Sequence, residues 1–459
     1  MTPAVQPHDR HRRLAASALI TCAILVGGSP AAAQILRGGL GLPGAPIGLP
    51  NLPPSSLPAR VTDSVAGGAN ALTDRAVSEL MGARAQAAQR LIREHRDVVE
   101  ADDHGQPVVR GEALGLGVSD AALAHLREAG FTVRSAGEIA GLDLQAVVLG
   151  PPRGMSAVEA LRRLRTLDPA GQYEFNHLYQ PAGAVGAAAS GAVGEGPGAL
   201  ERSVGVIDGA VAASAPTLSN ARLVQQAFAP GGAHVTAHAT AVASLIAGQA
   251  PGFRGAAAGA TLYVADVYGP TAAGGSAEAV ARAMGWLAQM RAPVISISLV
   301  GPPNRLLQAA VQSLIVRGYL VVAPVGNDGP AAPPLYPAAY PGVIAVTGVG
   351  PDGRLLPEAG RGLHVDFAAP GAGIVAAAPG GGVTAVRGTS FAAPIVAGAL
   401  AGRMTGPDRV QAEAAVSALA REARAPARLA RAADLGHGLI GMNVPAPTSS
   451  RAEKLKPAG

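Results

Sequence analysis

The stretch Ser203-Val204-Gly205-Val206-Ile207-Asp208-Gly209 decides the fold. It is apolar at successive positions instead of alternate ones, and it closes on a carboxylate beside a glycine. A strand with one wet face alternates, whereas a strand buried on both faces reads as a continuous apolar run. Runs of the same kind follow at Thr261–Val267, Val294–Leu299, Tyr319–Ala323 and Val343–Val346, each bounded by Gly, Pro or Asp. Helical periodicity fills intervals between them, at 238–248, 277–290 and 304–317. Buried strands alternating with helices predict an α/β domain with a doubly wound, mostly parallel sheet.

Upstream the rhythm changes. Val108–Leu116 reads as a strand and Ser119–Gly130 as a helix closed by glycine. Phe131–Arg134 and Leu144–Leu149 read as two further strands. Ser156-Ala157-Val158-Glu159 is a capping box that opens a helix to Leu167, and Gln172–Tyr179 supplies a last strand. The order β-α-β-β-α-β predicts a small ferredoxin-like α+β domain over 107–180. Residues 181–202, nearly all Gly, Ala, Val, Ser and Glu, read as a flexible, cleavable linker. Residues 61–106 include a helical pattern over 70–98 with no functional reading, and 446–459 read as a disordered tail.

The first residues read as an export signal. Arg10, Arg12 and Arg13 precede an apolar stretch, Leu14–Gly28, and Ala31-Ala32-Ala33 supplies small residues before Gln34. Residues 1–33 are therefore expected to be removed as a signal peptide, with a Gly/Pro-rich linker over 34–60. No later stretch is long and apolar enough to span a bilayer. The expected location is periplasmic or extracellular. Cys22 is the single cysteine, so the mature chain would contain none, and no intramolecular disulfide can form.

Composition sets limits. With 6 Phe, 7 Tyr and 1 Trp in 459 residues, the core must be built from Ala, Val, Leu and Ile. Charged residues are only 15%, which excludes a solvated disordered chain and a Glu/Lys-rich coiled coil. The net charge of +5 is small for this length, and no basic run is interleaved with aromatics, so nucleic acid is not an expected partner.

Three segments at strand ends or helix starts carry chemistry. Asp208 ends the opening strand, His238 begins an Ala-rich helix, and Ser390 begins another within Gly388-Thr389-Ser390-Phe391-Ala392-Ala393-Pro394, with Pro394 expected in its first turn. A serine hydroxyl is a weak nucleophile that needs a base, and the base needs a carboxylate to fix its tautomer. The chain order Asp, His, Ser differs from that of α/β-hydrolases and chymotrypsin-like enzymes.

From Ser203 to Asn443 the chain resembles subtilisin-like serine proteases, the subtilases. The serine segment, continued by Val396 and Gly398, is close to that family's signature. Val322-Ala323-Pro324-Val325-Gly326-Asn327-Asp328-Gly329 is similar to the segment carrying its oxyanion asparagine, which the resemblance places at Asn327 beside the backbone N–H of Ser390. It places Ser298, Leu299, Val300 and Gly326 at the substrate cleft. His238, not the nearby His234, has Thr240, Val242 and Ala243 in register. Departures from the family pattern are Gly209-Ala210 after the aspartate, Ala239 after the histidine, Val300 and Pro324.

The resemblance implies a catalytic domain over 203–445 that hydrolyses peptide bonds through an acyl-enzyme. It also implies that 107–180, ending in Tyr173–Tyr179, is an inhibitory and folding-assisting propeptide of a zymogen. Protein or peptide substrates and the chain's own propeptide are the expected partners. No cofactor is expected; structural calcium is frequent among subtilases, but no acidic cluster commits to a site. A catalytically silent binding module and an esterase are the alternative readings of the same residue set.

Overall fold

The computed structural model describes residues 82–189, 202–424 and 434–441. Residues 1–60, including the expected signal peptide and its linker, and 446–459 lie outside them. The described chain opens with helix α1 (82–94) and strand β1 (Val99–Ala101). Then come β2 (Pro107–Leu116), α2 (Asp120–Glu128), β3 (Thr132–Ile139), β4 (Leu144–Gly150), α3 (Ala157–Leu167) and β5 (Gln172–His177).

β2 pairs antiparallel with both β4 and β5, β3 pairs with β4, and β1 lies on the start of β2. This is the split β-α-β arrangement expected from the element order. Ser119 caps α2, and the Ser156–Glu159 capping box opens α3. Leu123, Leu126, Leu161 and Leu164 from the two helices pack against Val147, Leu149 and Phe175 of the sheet. β3 runs five residues past the expected Arg134 because its second half is mostly exposed and polar, and carries no apolar signature.

The chain then enters the second region through β6 (Gln180–Pro181) and β7 (Ala184–Ala189). These occupy part of the 181–202 stretch expected to be linker; 190–201 lie outside the described residues. Gly183 and Gly186, where a Cβ would meet Ser390 and Ala385, let this backbone lie close against its neighbours instead of looping free.

Next come β8 (Ser203–Asp208), β9 (Leu223–Ala227), α4 (Ala237–Ala247), a short pair β10 (Gln249–Ala250) and β11 (Phe253–Arg254), and β12 (Thr261–Asp266). After these follow α5 (Ala277–Gln289), β13 (Val294–Ile297), β14 (Leu299–Val300), α6 (Arg305–Val316), β15 (Leu320–Pro324), β16 (Ile344–Val349) and β17 (Val365–Pro370). The last described elements are β18 (Ile374–Ala377), β19 (Val383–Arg387), α7 (Thr389–Ala401) and α8 (Arg409–Glu422).

Seven strands form one sheet in the order β9-β12-β8-β13-β15-β16-β17, every neighbouring pair parallel. Alternate residues of each strand feed two cores. Val204, Val206, Val322 and Val346 pack with α4 and α7, while Ile207, Ile295, Val321 and Ala345 pack with α5 and α6. Alanines at 239, 241, 243, 392, 393 and 397 fill the first core, so an aromatic-poor sequence still closes it.

The order has a switch point at β8. The chain moves first to one side through β9 and β12, then crosses to β13 and beyond on the other. In such sheets the crevice at the carboxyl ends beside the switch is where ligands bind. Here β13 stops at Ile297 instead of continuing to Leu299, and β14 turns away from the sheet to pair antiparallel with β6. The sheet thereby leaves an edge to which a passing strand can bond.

Candidate active site

Asp208 is the last residue of β8, at the switch point. Its Oδ1 accepts the Gly209 N–H at 2.8 Å and its Oδ2 lies 2.7 Å from His238 Nδ1. His238 is in the first turn of α4, where the N-cap Thr236 hydroxyl accepts the Ala239 N–H. Ser390 is in the first turn of α7, its Oγ 2.9 Å from His238 Nε2.

All three residues are withdrawn from solvent, at 1%, 8% and 0% exposure in chain order. The carboxylate beside Nδ1 fixes the imidazole tautomer: Nδ1–H donates to Asp208, leaving the Nε2 lone pair to accept the Ser390 hydroxyl proton. His234 is exposed, and its backbone N–H donates to Asp266 Oδ2 instead. Pro394 falls in the second turn of α7, not the first, because the helix begins at Thr389. It therefore removes one intrahelical bond, the one that would end on the Ser390 carbonyl.

Asn327 is oriented by its own hydrogen bonds. Its Oδ1 accepts the Thr389 N–H at 3.1 Å, which turns Nδ2 outward to donate to the Ala182 carbonyl oxygen at 2.6 Å. The Ser390 N–H donates to that same oxygen at 3.0 Å. One carbonyl of the chain thus sits between the two donors that the sequence grouped as an oxyanion hole.

Gly388, with φ at 133°, holds the backbone in the region that favours glycine. A Cβ there would come within 2.7 Å of Gly183 Cα and 2.8 Å of the Ala182 oxygen, so the passing strand needs the glycine. Gly183 in turn lies against Ser390 Oγ.

The four expected cleft residues divide. Val300 packs with Ala182 and Leu335 in a small apolar cluster. Leu299 offers only its backbone to the cleft, pairing with Pro181, while its side chain points into the core against α5 and α6. Ser298 is buried, its N–H donating to the Ile207 carbonyl. Gly326, at φ 91°, is roofed by Leu335, and its N–H donates to Thr389 Oγ1.

Leu335 was missed in the sequence because nothing local marks it; only the fold brings it over Gly326. Arg84 of α1 also reaches this rim, its Nε 2.5 Å from Asp328 Oδ2. Among the described residues, no group of three His, Cys, Asp or Glu side chains is placed to hold a metal ion, and no helix is long and apolar enough to cross a membrane.

Residues 201–438 match the Subtilase family of peptidases. That span is more than half of the chain, and the protein belongs to this family. It is 35% identical over 167 residues to subtilisin Savinase of Lederbergia lenta, covering 36% of this chain and 61% of that one. It is 34% identical over 171 residues to the major intracellular serine protease of Bacillus subtilis (strain 168), covering 36% and 54%. The chain thus spans between half and two thirds of the length of these curated relatives.

Among solved structures it resembles fervidolysin from Fervidobacterium pennivorans, with a TM-score of 0.60 at 19% identity, covering 76% of this chain and 64% of that one. The epidermin leader peptide processing protease of Staphylococcus aureus gives 0.56 at 15%, covering 73% and 97%. These two likenesses concern the fold.

Proposed function

We propose that the protein is a serine endopeptidase made as a zymogen, which first cleaves its own Ala182–Gly183 bond. One observation carries this reading: the Ala182 carbonyl oxygen accepts from Asn327 Nδ2 and from the Ser390 N–H, with Gly183 against Ser390 Oγ. That is where the oxygen of a substrate carbonyl must sit to be stabilised as it becomes an oxyanion.

The steps follow from the hydrogen bonds. Ser390 Oγ attacks the Ala182 carbonyl carbon while His238 Nε2 takes its proton, and Asp208 stabilises the imidazolium. Charge grows on the Ala182 oxygen between its two donors, at the positive end of α7. His238 then protonates the Gly183 nitrogen, the C–N bond breaks, and residues up to Ala182 remain as an ester on Ser390. A water deprotonated by His238 hydrolyses that ester. Substrates in trans would enter along the same edges, with a small residue facing Val300 and Leu335.

In this reading the β1–β5 region is the inhibitory propeptide, and the Gly183 end becomes the new N-terminus. Export is its second half, supported by the Arg10–Gln34 pattern, which lies outside the described residues. Mass spectrometry of the purified chain tests the cleavage: an N-terminus at Gly183 in the native protein, absent from Ser390→Ala, is the expected result. A fully active chain with an intact Ala182–Gly183 bond, or failure of Ser390 to take a fluorophosphonate label, overturns the reading. Comparing the N-termini of cell-associated and released protein tests export, with removal of residues 1–33 expected.

A further inference from the structure

Glu358 lies between β16 and β17, in a segment anchored by Leu356 and Ala359 packing with Ala372, and is itself only 2% exposed. Its carboxylate meets the half-exposed Arg387 guanidinium fork to fork. Oε1 is 2.7 Å from Nε, and Oε2 accepts from Nη2 at 2.8 Å. Taking a carboxylate out of water is costly, and a buried ion pair is often no more stabilising than apolar residues of the same volume. Stability therefore does not account for this pair. Its position does.

The Glu358 carbonyl accepts the Gly329 N–H at 2.8 Å, and the Gly360 N–H donates to the Gly326 carbonyl at 3.0 Å. These two bonds grip the chain on either side of Asn327. The approach is close, since a Cβ on Gly360 would come within 2.7 Å of the Val325 oxygen. Arg387 is the last residue of β19, one before Gly388 and three before Ser390. The ion pair thus joins the segment carrying the Asn327 donor to the segment carrying the Ser390 N–H. Thr389 ties the same two segments by neutral bonds, its N–H to Asn327 Oδ1 at 3.1 Å and its Oγ1 to the Gly326 N–H at 3.2 Å. Glu358 and Arg387 also share a cavity of about 360 Å³ with Ala182, Gly183 and Asn327, against the reacting bond.

We propose that Glu358 and Arg387 are positioning residues for the oxyanion hole, a strut that sets the separation of its two donors. The proposal rests on the endopeptidase reading above. Such donors work because they are already aimed at the place where charge develops. A misplacement of about 1 Å can cost about a hundredfold in rate. A bidentate guanidinium–carboxylate pair fixes both a distance and a plane, whereas a lysine at 387 would supply the same charge at a single point. Neither residue donates to the Ala182 oxygen; they act through Asn327 and Ser390.

The test uses the full-length chain, purified and left to process, with an internally quenched peptide containing Gln-Pro-Ala-Gly-Ala-Val. Rates are counted per Ser390 labelled by a fluorophosphonate, so that loss of folded protein does not enter them. Glu358→Gln and Arg387→Lys are each expected to lower kcat by about 10- to 100-fold with KM within about twofold. The time course of cleavage at Ala182–Gly183 should slow by the same factor. On an Asn327→Ala background the same substitutions should cost less than about threefold, because no second donor is left to be held in register. The double variant Glu358→Leu/Arg387→Met leaves no unpaired buried charge and keeps the test open should a single variant fail to fold; its kcat should fall in the same range. An unchanged kcat in the folded variants, or equal losses with Asn327 present and absent, overturns the strut, while labelling and cleavage by the native chain keep the endopeptidase reading. A native chain that takes no fluorophosphonate and cleaves nothing overturns both.

Discussion

The strand crossing Ser390 is held very differently on its two sides. Upstream of the Ala182–Gly183 bond, Leu178 bridges Ser276, Tyr179 fills the slot over Gly301, and Gln180–Pro181 pairs with β14. Ala182 is clasped by Val300 and Leu335, and its carbonyl by two donors. Downstream, Val185 packs against the first core and β7 pairs with β19, helped by the Thr384 hydroxyl donating to the Gly186 carbonyl at 2.6 Å. Side-chain recognition is therefore concentrated on the side that becomes the acyl group, whereas the side that leaves is held mainly by backbone pairing with β19. In the proposed reaction this asymmetry lets the Gly183 end depart once the bond is cut. In the same proposal the upstream product stays in the cleft as an inhibitor.

Removing the nucleophile should break the comparison altogether. Ser390→Ala is expected to lower kcat by about a millionfold, the scale on which triads of this kind lose activity with their serine. The chain should then persist with both halves joined, seen as a single full-length mass. Asn327→Asp keeps an acceptor for the Thr389 N–H but loses the donor to the Ala182 oxygen. It should cost about 10²- to 10³-fold in kcat with KM little changed, measured on a peptide substrate. An equal loss in KM would mean that Asn327 grips the ground state as firmly as the transition state.

The downstream half is probed by Gly183→Val. A Cβ there collides with Ser390 Oγ and comes within 2.6 Å of Phe391 Cε2, so the bond must shift away from the nucleophile. Self-cleavage should slow by about a hundredfold, the cost of misplacing reacting atoms by about 1 Å, followed as the time course of the processed band. An unaltered time course would mean that the downstream strand has room the packing denies it.

Legibility in the sequence follows a related divide. The parallel strands were readable because helices cover both faces, so each run is apolar throughout, and Asp208, His238 and Ser390 each sit where an element begins or ends. Position within a local motif was enough to nominate them. Leu335, Gly301 and Pro302 were not readable as partners of Ala182 and Tyr179, since the segments that meet are more than a hundred residues apart in the chain. The orientation of Leu299 was not readable for the same reason. Its backbone faces the cleft while its side chain faces the core, and which way a residue points after the break at Ser298 depends on the strand that β14 pairs with.

A second junction lies away from the reacting bond, where β5 meets the start of α6. Asn304 caps α6 with its Oδ1, accepting the N–H groups of Leu306 and Leu307, so its Nδ2 must face the other way, toward Phe175 O and His177 Nδ1. Since Nδ1 accepts, the proton of a neutral His177 is on Nε2, donating to Asp102 Oδ2 at 3.1 Å. Burial pushes the Asp102 carboxyl up, but hydrogen bonds from His177 and from the Gln106 and His104 N–H groups outweigh it and leave it below its ordinary value.

A carboxyl lowered by folding stabilises fully above its unfolded value, 3.8, and loses that contribution as pH falls through the lower folded value. Asp102→Asn should therefore cost about 1 to 3 kcal/mol at neutral pH, read as a shift in urea midpoint on the Ser390→Ala background so that cleavage does not intervene. The gap between the two chains should narrow as the pH drops below 3.8. A gap of constant size would show that the charge of Asp102 contributes nothing, leaving its shape alone to hold the junction.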